Sequence, residues 1–273
     1  MFGQLPHTKT QEFEVTTLRV EQFANLLGAD PENPQDNKFV RQMLPLAFES
    51  AVLADLSSEG SMSIYVAHES ESLLPVNNGP MIIEANVAQK GIKRTIIYAH
   101  RQGEIIIGEG KDIILMVPLK GERNPPEPSS ETYVFHGASY TPTREDVNVF
   151  MDIAEDYNLA HRDEGYTAQT MFKRPIVHGM LGLPREIYDS MKILRGNGTD
   201  GSLSSLTVAF KEPVYPKEPQ YKYHDTITPH FSEVTGEVTG ENGIKTYDMA
   251  VRNQKNVDVM HVSFTLTTCE SCL

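Results

Sequence analysis

The sequence predicts an α+β protein in which one helix-and-sheet unit is written twice, and three observations carry this. Val20, Phe23, Ala24 and Leu27 recur at the spacing of an amphipathic helix, and Val147, Phe150, Met151 and Ala154 repeat the pattern 127 residues later. QKGIKRTIIYAHR (Gln89 to Arg101) matches ENGIKTYDMAVR (Glu241 to Arg252), a Gly-Ile-Lys turn leading into a strand. Long β-rich runs flank both turns, MIIEANVAQ before the first and VDVMHVSFTL after the second. One buried helix wrapped by a curved antiparallel sheet, occurring twice, satisfies all three.

Each element has a local reason. Thr16 and Thr143 stand four residues before the two apolar sets, where a hydroxyl caps a helix N-terminus. FVRQMLPLAFESAVLADL, residues 39–56, reads as a second helix buried against the strands. Asn242-Gly243 is a hairpin turn by composition. GERNPPEPSSE, Gly121 to Glu131, is rich in proline and polar residues and reads as a linker. The expected division is a first repeat over 1–120, a linker over 121–131 and a second repeat over 132–273.

Composition narrows the function. The chain has 273 residues and a formal net charge of −13, which disfavours nucleic acid as a partner but not a small anion held by a local basic patch. No run approaches the roughly 20 apolar residues of a membrane helix. The first residues, MFGQLPHTKTQEFEV, lack the apolar core of a secretory signal. Cys269 and Cys272 supply half a zinc site at most, and ESCL is not a prenylation signal. A reduced, cytoplasmic setting is the expectation.

The chemistry concentrates in DYNLAHRDEGYTAQTMFKRPIVHGML, Asp156 to Leu181. Carrying the 127-residue offset forward lays GADPENPQD against EDYNLAHRD, so Ala29 faces Asp156, Pro34 faces His161 and Asp36 faces Asp163. Five residues do not place Asp156 and His161 on one helical face. A helix ending near Asp156 and a turn through Asn158 would bring both to one cavity, where a carboxylate and a neutral imidazole can share a water. Asp156 as a helix terminator with His161 in solvent fits the same residues. His178 lies in the apolar run PIVHGML, and Gly179 would offer free N–H groups near the start of a buried helix. A core histidine beside a packing glycine fits as well.

Taken jointly, Asp156-x4-His161-x-Asp163, Tyr166, Ala168 and Phe172-x-x-Pro175-Ile176-Val177-His178-Gly179-Met180 resemble the hydratase motif of the MaoC-like, (R)-specific enoyl-CoA hydratases. The resemblance implies a tandem, or double, hot-dog fold. It implies that Asp156 and His161 position the water added to a trans-2-enoyl thioester, that the Gly179 N–H stabilises the thioester oxygen, and that Asn158 shapes the catalytic loop. His178 and Met180 complete the substrate-contacting set.

The expected substrate is an acyl-CoA or acyl-carrier-protein thioester, with no cofactor and no metal. His161 and His178 lack a recognisable metal-ligand spacing, and HExxH, GxSxG and GxGxxG patterns do not occur. Lys173 and Arg174 are placed to receive phosphates of CoA or a carrier arm, or simply to be solvated. The first repeat, without the dyad, would lodge the acyl chain in a pseudo-dimer, and a homodimer of the two-repeat chain is compatible with this.

Three departures bear on the pocket. Leu159 stands where the family usually has proline, Pro184 would interrupt or kink the buried helix in its first turns, and Ile187 falls near a position usually small or hydroxylated. A carrier-bound dehydratase, a tailoring isomerase or cyclase, and a non-catalytic acyl-thioester-binding subunit remain as rival readings.

Overall fold

Thr16 and Thr143 open two matching helices. In the computed structural model, which describes residues 7–54, 61–118, 125–239 and 242–269, α1 (Thr17–Leu27) begins with the Thr16 hydroxyl accepting from Arg19 N at 3.1 Å. Helix α3 (Arg144–Ala154) begins with a full capping box, in which Thr143 accepts from Asp146 N at 3.2 Å and donates its own N–H to the Asp146 carboxylate at 2.8 Å. The apolar residues at helical spacing are buried in both. Both helices end on a left-handed residue, Gly28 with φ 69° and Glu155 with φ 59°. The Glu155 side chain pairs with Arg19, tying the end of α3 to the start of α1.

Each repeat then has a long central helix, α2 (Pro34–Ala54) and α6 (Gly179–Gly196). Helix α2 starts five residues before the expected Phe39. Neither Pro45 nor Pro184 ends its helix, so the expected interruption at Pro184 does not occur. Each proline deletes one N–H, but its helix is packed among fully buried residues such as Leu44, Leu46 and Leu183, and that burial offsets the missing bond. Two one-turn helices, α4 (Leu159–Arg162) and α5 (Glu164–Thr167), lie between α3 and α6.

The strands of the first repeat are β1 (His7–Val15), β2 (Ser61–Glu71), β3 (Gly79–Lys90), β4 (Lys93–Gln102) and β5 (Ile105–Pro118). Those of the second are β6 (Phe135–His136), β7 (Ser202–Phe210), β8 (Ile227–Thr239), β9 (Asn242–Asn253) and β10 (Asp258–Cys269). They form one antiparallel ten-stranded sheet in the order β1-β3-β4-β5-β2-β7-β10-β9-β8-β6. The order is a palindrome under exchange of the repeats, with β2 and β7 at its centre. This is the α+β double hot-dog fold, a helix α2 or α6 against each curved half-sheet.

Two details differ from the sequence reading. Asn242 and Gly243 are already in β9, paired with Thr239 and Val238, and 240–241 lie outside the described residues. The ungapped alignment of the repeats holds only as far as Ala29 and Asp156. Beyond it the first repeat enters α2 at Pro34, whereas the second travels through α4 and α5 to Gly179. Pro34 therefore has no structural equivalence to His161, and Asp36 none to Asp163. Of the expected linker, 121–124 lies outside the described residues, as does Cys272; Ser129 is fastened to Asn256 by two bonds of 2.8 Å. No helix among the described residues is long and apolar enough to cross a membrane.

Asp36 joins the two central helices. Its carboxylate accepts from the Tyr188 hydroxyl at 2.6 Å and from Arg195 at 2.8 Å, both on α6. Burial pushes this carboxyl up, but the bonds from Tyr188, the Asp30 N–H and Arg195 outweigh it and hold it below its usual value. A depressed folded value stabilises the fold above the unfolded value of 3.8, and that gain disappears as acid titrates the folded carboxyl. Asp36→Asn is expected to cost about 1–3 kcal/mol in urea denaturation at pH 7, and less at pH 3.

Candidate active site

The turn at Glu155 sends Asp156 inward, where it is 3% exposed. Its carboxylate accepts from Asn158 N at 3.1 Å, and the Asn158 side chain accepts from Ala160 N at 3.0 Å, capping α4. This Asx-type chain sets the one-turn helix that carries His161. The returning segment is fixed by Ile176 N to Ala160 O at 3.1 Å and Val177 N to Val214 O at 2.8 Å. The ring of His161 donates from Nδ1 to Ile176 O at 2.9 Å, which leaves Nε2 as the acceptor nitrogen. His178, the residue before α6, stacks on His161 with ring centroids 3.6 Å apart, and its Nε2 stands 3.5 Å from the Asp156 carboxylate.

Electrostatics keeps both imidazoles neutral. Burial lowers His161 to about 4, only partly opposed by its bond to Ile176 O, with the Arg144 guanidinium adding to the drop. Burial and the neighbouring His161 push His178 well below the usual histidine range. A neutral acceptor nitrogen and a carboxylate therefore face the same space.

That space is a cavity of about 370 Å³ lying between the repeats. Asp156, Asn158, His161, His178, Gly179 and Met180 all line it, and Leu53, Ile64, Tyr65, Ile114 and Leu115 supply a wall from the first repeat. Gly179 is the first residue of α6, and the N–H groups of Gly179 and Met180 precede the ladder that begins with Leu181 and Gly182 bonding to His178 O. A Cβ on Gly179 would stand 2.5 Å from the Phe210 ring, so no larger residue fits beneath that aromatic. A carboxylate, a neutral imidazole and a helix N-terminus around one cavity can hold a water, move its proton and stabilise an oxyanion.

The other expected residues lie elsewhere. Lys173 is exposed, with a left-handed backbone at φ 65°, and does not line the cavity. Arg174 also stands outside the lining. Its guanidinium sits over Tyr215 at 4.3 Å, Tyr221 at 4.8 Å and Tyr223 at 5.5 Å, and it donates to Tyr223 O at 2.6 Å. Leu159 is 40% exposed at the outer face of α4, so this departure from the family pattern does not reach the cavity. Neither Pro184 nor Ile187 lines it; the α6 residues that do are Gly179, Met180 and Gly182. The fold also gathers one ligand atom each from Asp156, His161 and His178 within 4.8 Å of one another, a cluster their sequence spacing does not suggest.

Residues 128–221 match the family model described as MaoC like domain. That segment, about a third of the chain, is similar to MaoC-like domains. An (R)-specific enoyl-CoA hydratase of Aeromonas caviae is 50% identical over 36 residues, which are 13% of this chain and 27% of that enzyme. The likeness to solved structures extends over nearly the whole chain. A putative MaoC domain protein dehydratase of Chloroflexus aurantiacus has a TM-score of 0.74 at 11% identity, covering 97% of this chain and 95% of that one. A MaoC-like dehydratase of Phytophthora capsici has a TM-score of 0.68 at 15% identity, covering 97% and 96%. A Mycobacterium tuberculosis protein described as having a double hotdog fold has a TM-score of 0.68 at 9% identity, over the same shares. At these identities the likeness establishes the fold.

The glycine at the head of α6 in the MaoC-like segment gives a direct packing test. Gly179→Ala should destabilise the protein by about 1–3 kcal/mol. Phe210→Leu should recover part of that cost in a double-mutant cycle followed by urea denaturation. Equal costs for Gly179→Ala with and without Phe210 would show that the ring is not the obstacle.

Proposed function

We propose that the chain is a hydratase or dehydratase that reversibly adds water to a trans-2-enoyl thioester and gives an (R)-3-hydroxyacyl thioester. The observation that carries this is the cavity in which Asp156, the acceptor nitrogen of His161 and the first N–H groups of α6 converge. The MaoC-like match and the short identity to an (R)-specific enoyl-CoA hydratase support the substrate class and the stereochemistry.

In the hydration direction, Asp156 and His161 hold the water. One of its protons passes to this pair, its oxygen bonds to C3, and the electron pair of the C2–C3 double bond moves toward the thioester. The charge that gathers on the thioester oxygen meets the Gly179 N–H at the positive end of α6. The dyad then returns a proton to C2, so all atoms of the water end in the product. Asn158 holds the loop that carries the dyad, while His178 and Met180 border the reacting carbons. Repeat 1–120 supplies the apolar wall for the acyl chain and repeat 132–273 the chemistry, joined by 121–131. Lys173, being exposed, is free to meet phosphate; Arg174 would have to leave its tyrosines to do so.

Asp156→Asn and His161→Ala should each lower kcat for trans-2-enoyl-CoA hydration by about 100- to 10,000-fold while thioester binding persists. Loss of the enoyl-thioester absorbance measures this, and unchanged turnover in either variant would contradict the mechanism. Protonation of His161 removes the acceptor, and its folded value lies at about 4. The acid limb of kcat/KM should therefore fall as the pH drops toward 4, and a limb centred on the ordinary value of 6.5 would contradict a buried neutral imidazole.

A further inference from the structure

The first repeat buries a set of ionisable side chains that the proposed reaction does not use. Glu49 of α2, His68 of β2, His100 of β4 and Asp112 of β5 are each no more than 1% exposed. Strand register puts the last three on one inward face: His68 pairs with Asp112 across β2 and β5, and His100 pairs with Gly108 across β4 and β5. Glu49 reaches down to them from the helix. The corresponding layer of the second repeat is apolar or aromatic, with Leu206, Val208, Tyr247, Met249, Val262 and Phe264 buried there. The fold itself does not call for ionised groups at this depth.

The local backbone makes room for the cluster. A Cβ on Gly108 would stand 3.0 Å from the His100 ring, and one on Gly110 would stand 2.4 Å from the Tyr98 hydroxyl. His68 Nδ1 lies 2.8 Å from the Asp112 carboxylate and 3.3 Å from the Glu49 carboxylate, whose other oxygen is 2.9 Å from His100 Nε2. Ligand atoms bound to one cation at about 2.1 Å stand roughly 3.0–3.4 Å apart, close to these separations. His68 Nε2 is 3.1 Å from the Ser70 hydroxyl. The Ser70 hydroxyl can donate to that nitrogen, and with it so engaged Nδ1 would be the nitrogen presented to the carboxylates, the arrangement typical of a metal-binding histidine with an outer partner.

Several buried atoms are left over. Both nitrogens of His100, both oxygens of Glu49 and Oδ2 of Asp112 have no hydrogen-bond partner, since His100 and Glu49 are close but not in line. Two buried carboxylates around an imidazole call for a positive charge among them, a metal ion or a proton on the ring. We propose that Glu49, His68 and Asp112, whose ligand atoms lie within 4.8 Å of one another, form a binding site for a divalent transition metal, separate from the cavity, with His100 backing the Glu49 carboxylate from outside. Mixed imidazole and carboxylate donors suit zinc, manganese, iron(II) or cobalt(II). The metal would clamp α2 to β2 and β5. It would also steady the cavity wall, because the Tyr65 hydroxyl, on a residue lining the cavity, bonds to Asp112.

The test uses the full chain stripped by a chelator and titrated with Co2+. Wild type should bind one equivalent, develop a visible d–d absorbance band, and gain about 5 °C in melting temperature at saturation. Asp112→Asn and His68→Gln should lose the band, whereas Asp156→Asn and His161→Ala should keep it. The wild-type titration stands even where a variant fails to fold. Absence of a stoichiometric Co2+ signal in wild type would overturn the proposal and leave a proton on His68 as the cation. A band lost in His161→Ala but kept in Asp112→Asn would place the metal at the cavity and overturn it equally.

Discussion

The antiparallel pairing of β2 with β7 is the constraint on which the rest of the molecule depends. It runs from Ala67 opposite Ala209 to Glu71 opposite Ser205 and fuses two half-sheets into one. Just past the Ala67–Ala209 pair, Phe210 lies against Tyr65 with ring centroids 4.9 Å apart and covers Gly179 at the head of α6. One ring thus touches the wall supplied by the first repeat and the head of α6 in the second. Without this seam, the dyad would face solvent and the apolar wall would face nothing.

The two repeats treat histidine in opposite ways, and burial alone does not distinguish them. His161 and His178 have burial with no carboxylate salt bridge strong enough to oppose it, so they stay neutral and His161 keeps an acceptor nitrogen. Burial disfavours the charged form of His68 as well, but the Glu49 charge, the bond to Asp112 and the Asp112 charge reverse it and raise this imidazole to about 10. Asp112, buried beside Glu49, is raised to about 6. A catalytic imidazole benefits from the first environment. The second stores a positive site inside a core, whether proton or metal fills it.

What could be read from the sequence was what lies within a short stretch of chain. The Thr16 and Thr143 caps depend on three following residues, and the motif from Asp156 to Met180 carries its loop and helix start within one segment. Strand register is not local, so Phe210, Tyr65 and the Glu49 cluster, which meet only when the sheet forms, gave no pattern to find. Arg174 illustrates the same limit. Its three tyrosines are visible in YPKEPQYKY, but their convergence on one guanidinium depends on a loop that turns back. The alignment of Pro34 with His161 failed because an ungapped offset cannot see α4 and α5, which the second repeat places between its helices.

The central claim is that an acyl chain anchored at the dyad lies along the first repeat. Ile64, on β2, lines the cavity at that wall. The direct measurement is kcat/KM of Ile64→Trp for crotonyl-CoA and for a long-chain trans-2-enoyl-CoA. The account predicts that the long substrate loses about ten-fold or more while the short one is turned over nearly as before. Equal effects on both substrates, or none on either, would contradict it.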